Sequence, residues 1–336
     1  MTGRDRPPAR ILLTHSKEAR EKWYGDRALA ELRATAEVLL NPRDRPFTID
    51  ELIEAAGTCS VIVSDRATPG DAAIFGNLPG LVAFVRGQVD IRNVDVAAAS
   101  TAGILVTQAS RGFVAAVAEW IVGAMIAASR HIVHYSAAYR KGEEPAAIVG
   151  RQLAGSTIGI IGYGAIAEHL CGLAHAFGMR VLVTDPYKGV PAPFEPVDLA
   201  TLLSQSDFVV PLAVANEETD DMIDAAALAQ MQPHAWLINA SRGNLIDEAA
   251  LEAALDAGRI AGAFLDVGRA PDQKPSPHLA SRADVIASPH IGGLTPQALD
   301  HQALETVRQA ASILRGEMPV GAVNAEHAAR LAWFRL

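Results

Sequence analysis

The chain has 336 residues, half of them hydrophobic, and a formal net charge of −9. That composition excludes general disorder and provides enough chain for about two domains with filled cores. The acidic balance offers no broad basic surface, so nucleic acid and membrane are not expected partners and small anions are the expected ligands.

The N-terminal residues lack an apolar targeting stretch. The two cysteines, Cys59 and Cys171, lie far apart without metal-ligand spacing. Neither a disulfide framework nor a metal site is suggested, and a reducing cytoplasm is the expected location. Apolar runs at 11–14, 38–40, 61–63, 81–85 and 104–107, with helix-like segments between them, predict a small parallel sheet. Residues 113–130 predict one long helix joining two domains. Its apolar stretch carries Glu119 and is short for a membrane span, so it is read as buried.

A second series of runs at 157–162, 180–185, 207–214, 235–241, 261–267 and 284–290 predicts six more strands. Continuous apolar strands alternating with helices are what a parallel sheet covered on both faces requires. A last helix at 296–315 is free to return to the first domain. The predicted fold is therefore α/β with two doubly wound parallel-sheet domains. The first is discontinuous, built from 1–112 and 300–336, and the second, at 113–299, binds a dinucleotide.

The dinucleotide reading rests on the first strand of the second series. Gly162 allows a tight turn, Gly164 lets the backbone approach a pyrophosphate, and Ala167, in the third glycine's place, keeps the following helix close to the sheet. Gly178 sits where that helix should end. Asp185 lies about twenty residues past the turn, where a carboxylate accepts both ribose hydroxyls and repels a 2′-phosphate. NAD is thus expected over NADP, although Lys188 lies nearby.

Three landmarks follow at predicted strand ends: Asn239-Ala-Ser-Arg-Gly243, Gly262-Ala-Phe-Leu-Asp-Val267 and Ser288-Pro-His-Ile-Gly-Gly293. With the glycine turn, Gly150-Arg-Gln-Leu-Ala-Gly155 and Asp247-Glu-Ala-Ala-Leu251, their order resembles the D-2-hydroxyacid dehydrogenase family over most of the chain. The resemblance implies a Rossmann NAD domain inserted in a flavodoxin-like substrate domain. It also implies hydride transfer between NAD(H) and a small 2-keto or D-2-hydroxy acid, and a homodimer formed through the 113–129 helix and an arm reaching Glu144. Within it, Arg242 binds the substrate carboxylate, which suits a planar, bidentate guanidinium. His290 is the acid/base, titrating in the range where it can both give and take a proton. Asp266 lies near the nicotinamide carboxamide or caps its own turn. Further cofactor contacts are implied for Ala165, Ile166, Thr219, Ala240, Ser241, Arg242, His290 and Gly292.

The sequence also departs from the family pattern. The glutamate that raises the pKa of the catalytic histidine is replaced by Pro271, leaving Asp272 as a shifted partner, Gln273 as an uncharged one, or both as solvated loop residues. In the loop that grips the substrate carboxylate, next to Val89, Asp90 replaces a glycine. Its side chain is expected to turn away, to pair with Arg86 or Arg92, or to contact a substrate donor group, because burying it against an anion is costly. Arg66 offers another anion contact or lies in a solvated loop. These departures leave two competing readings: an NAD(H) sensor or corepressor-like protein with little turnover, and a formate-dehydrogenase-like oxidase.

Overall fold

The computed structural model describes residues 7–270 and 272–335. They form two units, one continuous (Phe113–Leu294) and one made from the chain before and after it.

The discontinuous unit holds β1 (Arg10–Leu13), β2 (Glu37–Leu40), β3 (Val61–Ser64), β4 (Ala83–Arg86) and β5 (Leu105–Thr107). They pair in parallel in the order β2-β1-β3-β4-β5, the flavodoxin-like arrangement. Alternate residues of each strand enter opposite cores: Ile11, Leu13, Val61 and Val63 face one, and Leu12 and Ile62 the other. This two-sided burial is why the strands read as unbroken apolar runs. The helix Pro296–Leu314 packs Ala303, Val307, Ala310 and Ile313 into the first of these cores. Beyond it, the buried Asn324 side chain accepts from Val106 N at 2.8 Å and donates to Ile104 O at 2.9 Å, tying the C-terminal segment to β5.

A buried polar knot lies just past β1 and β3. Asp65 Oδ1 accepts from Thr68 Oγ1 at 2.6 Å, and Thr68 Oγ1 in turn accepts from Thr14 Oγ1 at 2.8 Å. Beside it His15, only 2% exposed, packs its ring 5.0 Å from that of Tyr24. Burial pushes the His15 imidazole down to about 4, opposed by Asp65 and helped by Arg20 and Arg86. The folded imidazole thus takes up a proton less readily than the unfolded one, whose pKa is about 6.5. Its contribution to stability is complete above about pH 6.5 and is lost as the pH falls toward 4. Between pH 7.5 and 5 that loss amounts to about 2 kcal/mol. Urea unfolding at the two pH values should show a correspondingly smaller loss in His15→Phe than in the parent chain, and equal losses would exclude His15 as the cause.

The continuous unit holds β6 (Thr157–Ile161), β7 (Arg180–Thr184), β8 (Glu195–Pro196), β9 (Phe208–Pro211), β10 (Trp236–Asn239), β11 (Gly262–Leu265) and β12 (Val285–Ala287). All pair in parallel, in the order β12-β11-β10-β9-β6-β7-β8. The chain winds outward from β6 in one direction and from β9 in the other, so a switch point falls between them. Six of these strands correspond to the six predicted; the seventh, β8, is a two-residue edge strand.

The predicted long helix runs from Val114 to Ser129 and buries Val117, Ile121 and Met125 in the core that also takes Ala167, Leu170, Cys171 and Ala174 of the helix Ala165–Ala176. His131, at φ +52°, then breaks the path, and a second helix, Ile132–Arg140, leaves at 68°. Among the described residues no single helix is long and apolar enough to cross a membrane.

Candidate functional site

The glycine turn follows β6 at the switch point. Gly162 has φ +92°, and a Cβ there would lie 2.7 Å from Ala213 Cα and 2.8 Å from Ala213 N, so the chains leaving β6 and β9 meet at a distance only glycine permits. At Gly164 a Cβ would meet open space. From there the helix Ala165–Ala176 starts with no side-chain cap, and Ala165 and Ile166 form its first turn. Its first N–H groups are therefore left for an anion. Ala167 is fully buried, as close helix–sheet packing requires.

Asp185, just past β7, accepts from Tyr163 N of the turn at 2.6 Å through Oδ2, and from Tyr187 N and Lys188 N, each at 2.8 Å, through Oδ1. Burial pushes its carboxyl up, but those three N–H groups and the Lys188 ammonium outweigh burial and hold it below the usual carboxylate range. One side chain thus ties the turn to the next strand end and stays ionised. An open glycine backbone, an uncapped helix and an ionised acid fit a dinucleotide. In the loop after β9, Thr219 Oγ1 donates to Val214 O at 2.6 Å and so shapes that loop.

Arginine and histidine occupy the loops after β10 and β12, each held by a buried polar residue. Fully buried Asn239 accepts from Ser241 N at 3.0 Å and donates to Arg242 O at 2.8 Å. The turn through Ala240 and Ser241 is thereby fixed, and Arg242 is presented on the surface, with one guanidinium nitrogen donating to Ser241 O at 2.7 Å. A Cβ on Gly243 would overlap the Gly268 carbonyl, so the loops after β10 and β11 are also in close contact.

Asp266, 1% exposed, accepts from Ser288 Oγ at 2.6 Å, Ile291 N at 2.8 Å and Gly292 N at 2.7 Å. It therefore acts on the loop that carries His290, whose φ of +59° is unusual for a residue with a side chain. These contacts come from the loop after β12 and not from the turn that follows Asp266, so its carboxylate holds the segment that bears His290. Asn239 and Ser288 were not among the sequence candidates. The available signal was a polar residue closing an apolar strand, as in Asn239 after Trp236-Leu-Ile.

Asp272 is exposed and pairs with Lys274 Nζ at 2.9 Å, and that ammonium, together with the Lys274 N–H, holds its carboxyl below the usual range. Gln273 has φ +59°, and its carbonyl accepts from Gly268 N at 3.0 Å. Pro271, the position of the absent glutamate, lies outside the described residues.

In the other unit, Asp90 makes a bidentate pair with Arg92, at 2.9 Å to Nε and 2.7 Å to one terminal nitrogen, and Arg66 stands 3.8 Å away. Of the three partners expected for Asp90, Arg92 takes it. The Arg92 guanidinium holds this carboxyl well below the usual range, against some opposition from burial. Arg86 instead forms the scaffold: it is fully buried and donates to Thr68 O at 3.0 Å, to Asn93 Oδ1 at 2.7 Å and to Asp65 O. Val89 is half-buried in this loop, and Arg66 is exposed.

The continuous unit thus has the anatomy of a dinucleotide-binding protein that also displays an arginine and a histidine at the edge where its cofactor turn lies. Residues 122–292 match the model of the D-isomer-specific 2-hydroxyacid dehydrogenase NAD-binding domain. The chain is 33% identical over 311 residues to a glyoxylate reductase from Thermococcus gammatolerans, covering 88% of this chain and 92% of that one. It is 32% identical over 280 residues to a D-3-phosphoglycerate dehydrogenase from Mycobacterium tuberculosis, covering 82% of this chain but 53% of the other, so it spans about half the length of that relative. Among solved structures, the apo form of D-lactate dehydrogenase from Escherichia coli superposes with a TM-score of 0.78 at 25% identity, covering 94% of this chain and 99% of that one. The chain belongs to the D-isomer-specific 2-hydroxyacid dehydrogenase family and carries that family's NAD-binding domain.

Proposed function

We propose that the chain is an NAD-dependent oxidoreductase that interconverts a small 2-keto acid and its D-2-hydroxy acid, running as a reductase in the cytoplasm. The observation that carries this reading is the pair Asn239 and Asp266, two buried side chains whose hydrogen bonds fix the loops bearing Arg242 and His290 on the sheet that also carries the glycine turn. Arg242 takes the substrate carboxylate and polarises the neighbouring carbonyl. His290 delivers a proton to the carbonyl oxygen during reduction and recovers it during oxidation. The bound dinucleotide supplies or accepts the hydride. Gly162, Gly164, Ala165 and Ile166 hold its phosphates, while Asp185 favours a free 2′-hydroxyl and hence NAD. Thr219, Ala240, Ser241 and Gly292 line its path. The loop at Val89 and Asp90 grips substrate through its backbone, with Arg66 as a further anion contact.

The molecule acts as a homodimer. Ile132, Val133 and Tyr139, just past the helix Val114–Ser129, are 49%, 40% and 66% exposed, which supports a second copy against this region. A monomeric mass in solution at micromolar concentration would remove that part of the proposal.

The deciding experiment follows NADH and NADPH oxidation against glyoxylate, hydroxypyruvate, pyruvate and phenylpyruvate. Turnover is expected with NADH in preference to NADPH. NADH binding with no turnover across the panel would replace the reductase reading with a dinucleotide sensor, which the ion pair locking Asp90 would then favour.

A further inference from the structure

The break at His131 opens a cavity in the continuous unit, away from the strand ends that carry Gly162, Arg242 and His290. The chain returns at Gly150 and Arg151 to close it. Arg151 N donates to Ser129 O at 2.9 Å, and a Cβ on Gly150 would lie 2.6 Å from that oxygen. Between these segments and the starts of β9 and β10 lies a cavity of about 160 Å³ whose walls include Phe208, Trp236 and Ala261. A cavity of about 150 Å³ with apolar walls accommodates a benzene ring.

Ser129 lines this cavity. It is 8% exposed. A wider, more open pocket shares Gly150, Arg151 and Asp207 with the cavity and adds Arg130. Asp207 does not make this mouth acidic. Its carboxylate already accepts from Arg151 at 3.0 Å, His234 Nε2 at 2.8 Å and Thr157 N at 2.8 Å. Arg130 packs over Gly150, its Cδ and Nε each 3.3 Å from where a Cβ would stand. Among the described residues it has no carboxylate partner.

From the cavity's size, its aromatic walls and the excess cation at the mouth, we propose a second ligand site that takes a small aromatic carboxylate. The ring enters against Trp236 and Phe208, and the carboxylate remains at the mouth with Arg130 and Arg151. The site needs neither cofactor nor turnover, so it stands or falls separately from the catalytic reading.

Benzoate, titrated into the whole protein by calorimetry and by fluorine NMR of fluorotryptophan-labelled protein, tests it. The Trp236 resonance is assigned from Trp236→Phe. Saturable binding with a Kd on the order of 1 mM is expected, with a shift at Trp236. Affinity should fall roughly tenfold for benzamide and for Arg130→Gln, and should persist in Arg242→Ala. Binding lost in Arg242→Ala but intact in Arg130→Gln would place benzoate in the keto-acid site and overturn the proposal. No shift at Trp236 up to about 20 mM would overturn it too, including the case in which a second copy of the chain covers the cavity.

Discussion

Arg242→Ala is expected to lower kcat/KM for reduction of a 2-keto acid by about a thousandfold, on the order of 4 kcal/mol of transition-state stabilisation. Two charge-assisted hydrogen bonds, at roughly 1.5–3 kcal/mol each, account for a loss of that size. The fold should tolerate the change, because Arg242 is exposed and the turn that presents it is held through its backbone by Asn239. A thermal midpoint near that of the parent chain, together with the collapse in turnover, is the expected result. Arg242→Lys keeps the charge but not the planar fork, and should recover only part of the loss. Turnover within about threefold of the parent in Arg242→Ala would take this side chain out of the chemistry.

Asp266→Ala should act on stability and turnover together. The carboxylate is buried and accepts from one hydroxyl and two backbone N–H groups, so its removal strands Ser288, Ile291 and Gly292 without their acceptor. At roughly 1–3 kcal/mol for each buried donor left unsatisfied, partly relieved by water, a destabilisation of about 3–5 kcal/mol is expected in urea unfolding. Turnover falls as well, because His290 lies in the freed segment and its left-handed backbone is no longer enforced. Asp266→Asn keeps one acceptor oxygen and should fall in between. A loss below about 1 kcal/mol in Asp266→Ala would mean that the loop is held by other contacts.

Much of the fold was legible because parallel strands buried on both faces leave continuous apolar runs. Ile11, Leu12 and Leu13 all had to be apolar, since adjacent residues enter different cores. β8 was not legible: an edge strand of Glu195 and Pro196 carries no such run. The break at His131 was hidden for a related reason. Helical composition continues past it into Ile132–Arg140, and only a left-handed residue divides the two helices. At the candidate site, glycine spacing singled out Gly162, where a φ of +92° favours glycine, whereas Arg242 and His290 were singled out by the resemblance of their strand-end motifs to a family. What the sequence left open was the choice among partners. Asp90 had two arginines within reach along the chain, and which one took it depended on the fold of the 86–95 loop, in which Arg86 is committed to Thr68, Asn93 and Asp65. The function of Asp266 was open in the same way, since its contacts come from the loop containing Ser288, Ile291 and Gly292.

The insertion of one unit within the other also sets an order of events during synthesis. Residues 113–294 are contiguous and can close their core once the last of them leaves the ribosome. The sheet made by β1 to β5 emerges earlier but must wait, because Val307, Ala310 and Ile313, which fill one of its cores, are made two hundred or more residues after β5. Until then Ile11, Val61 and Val85 line an unfilled face, so the segment translated first keeps apolar surface uncovered while the rest of the chain is made.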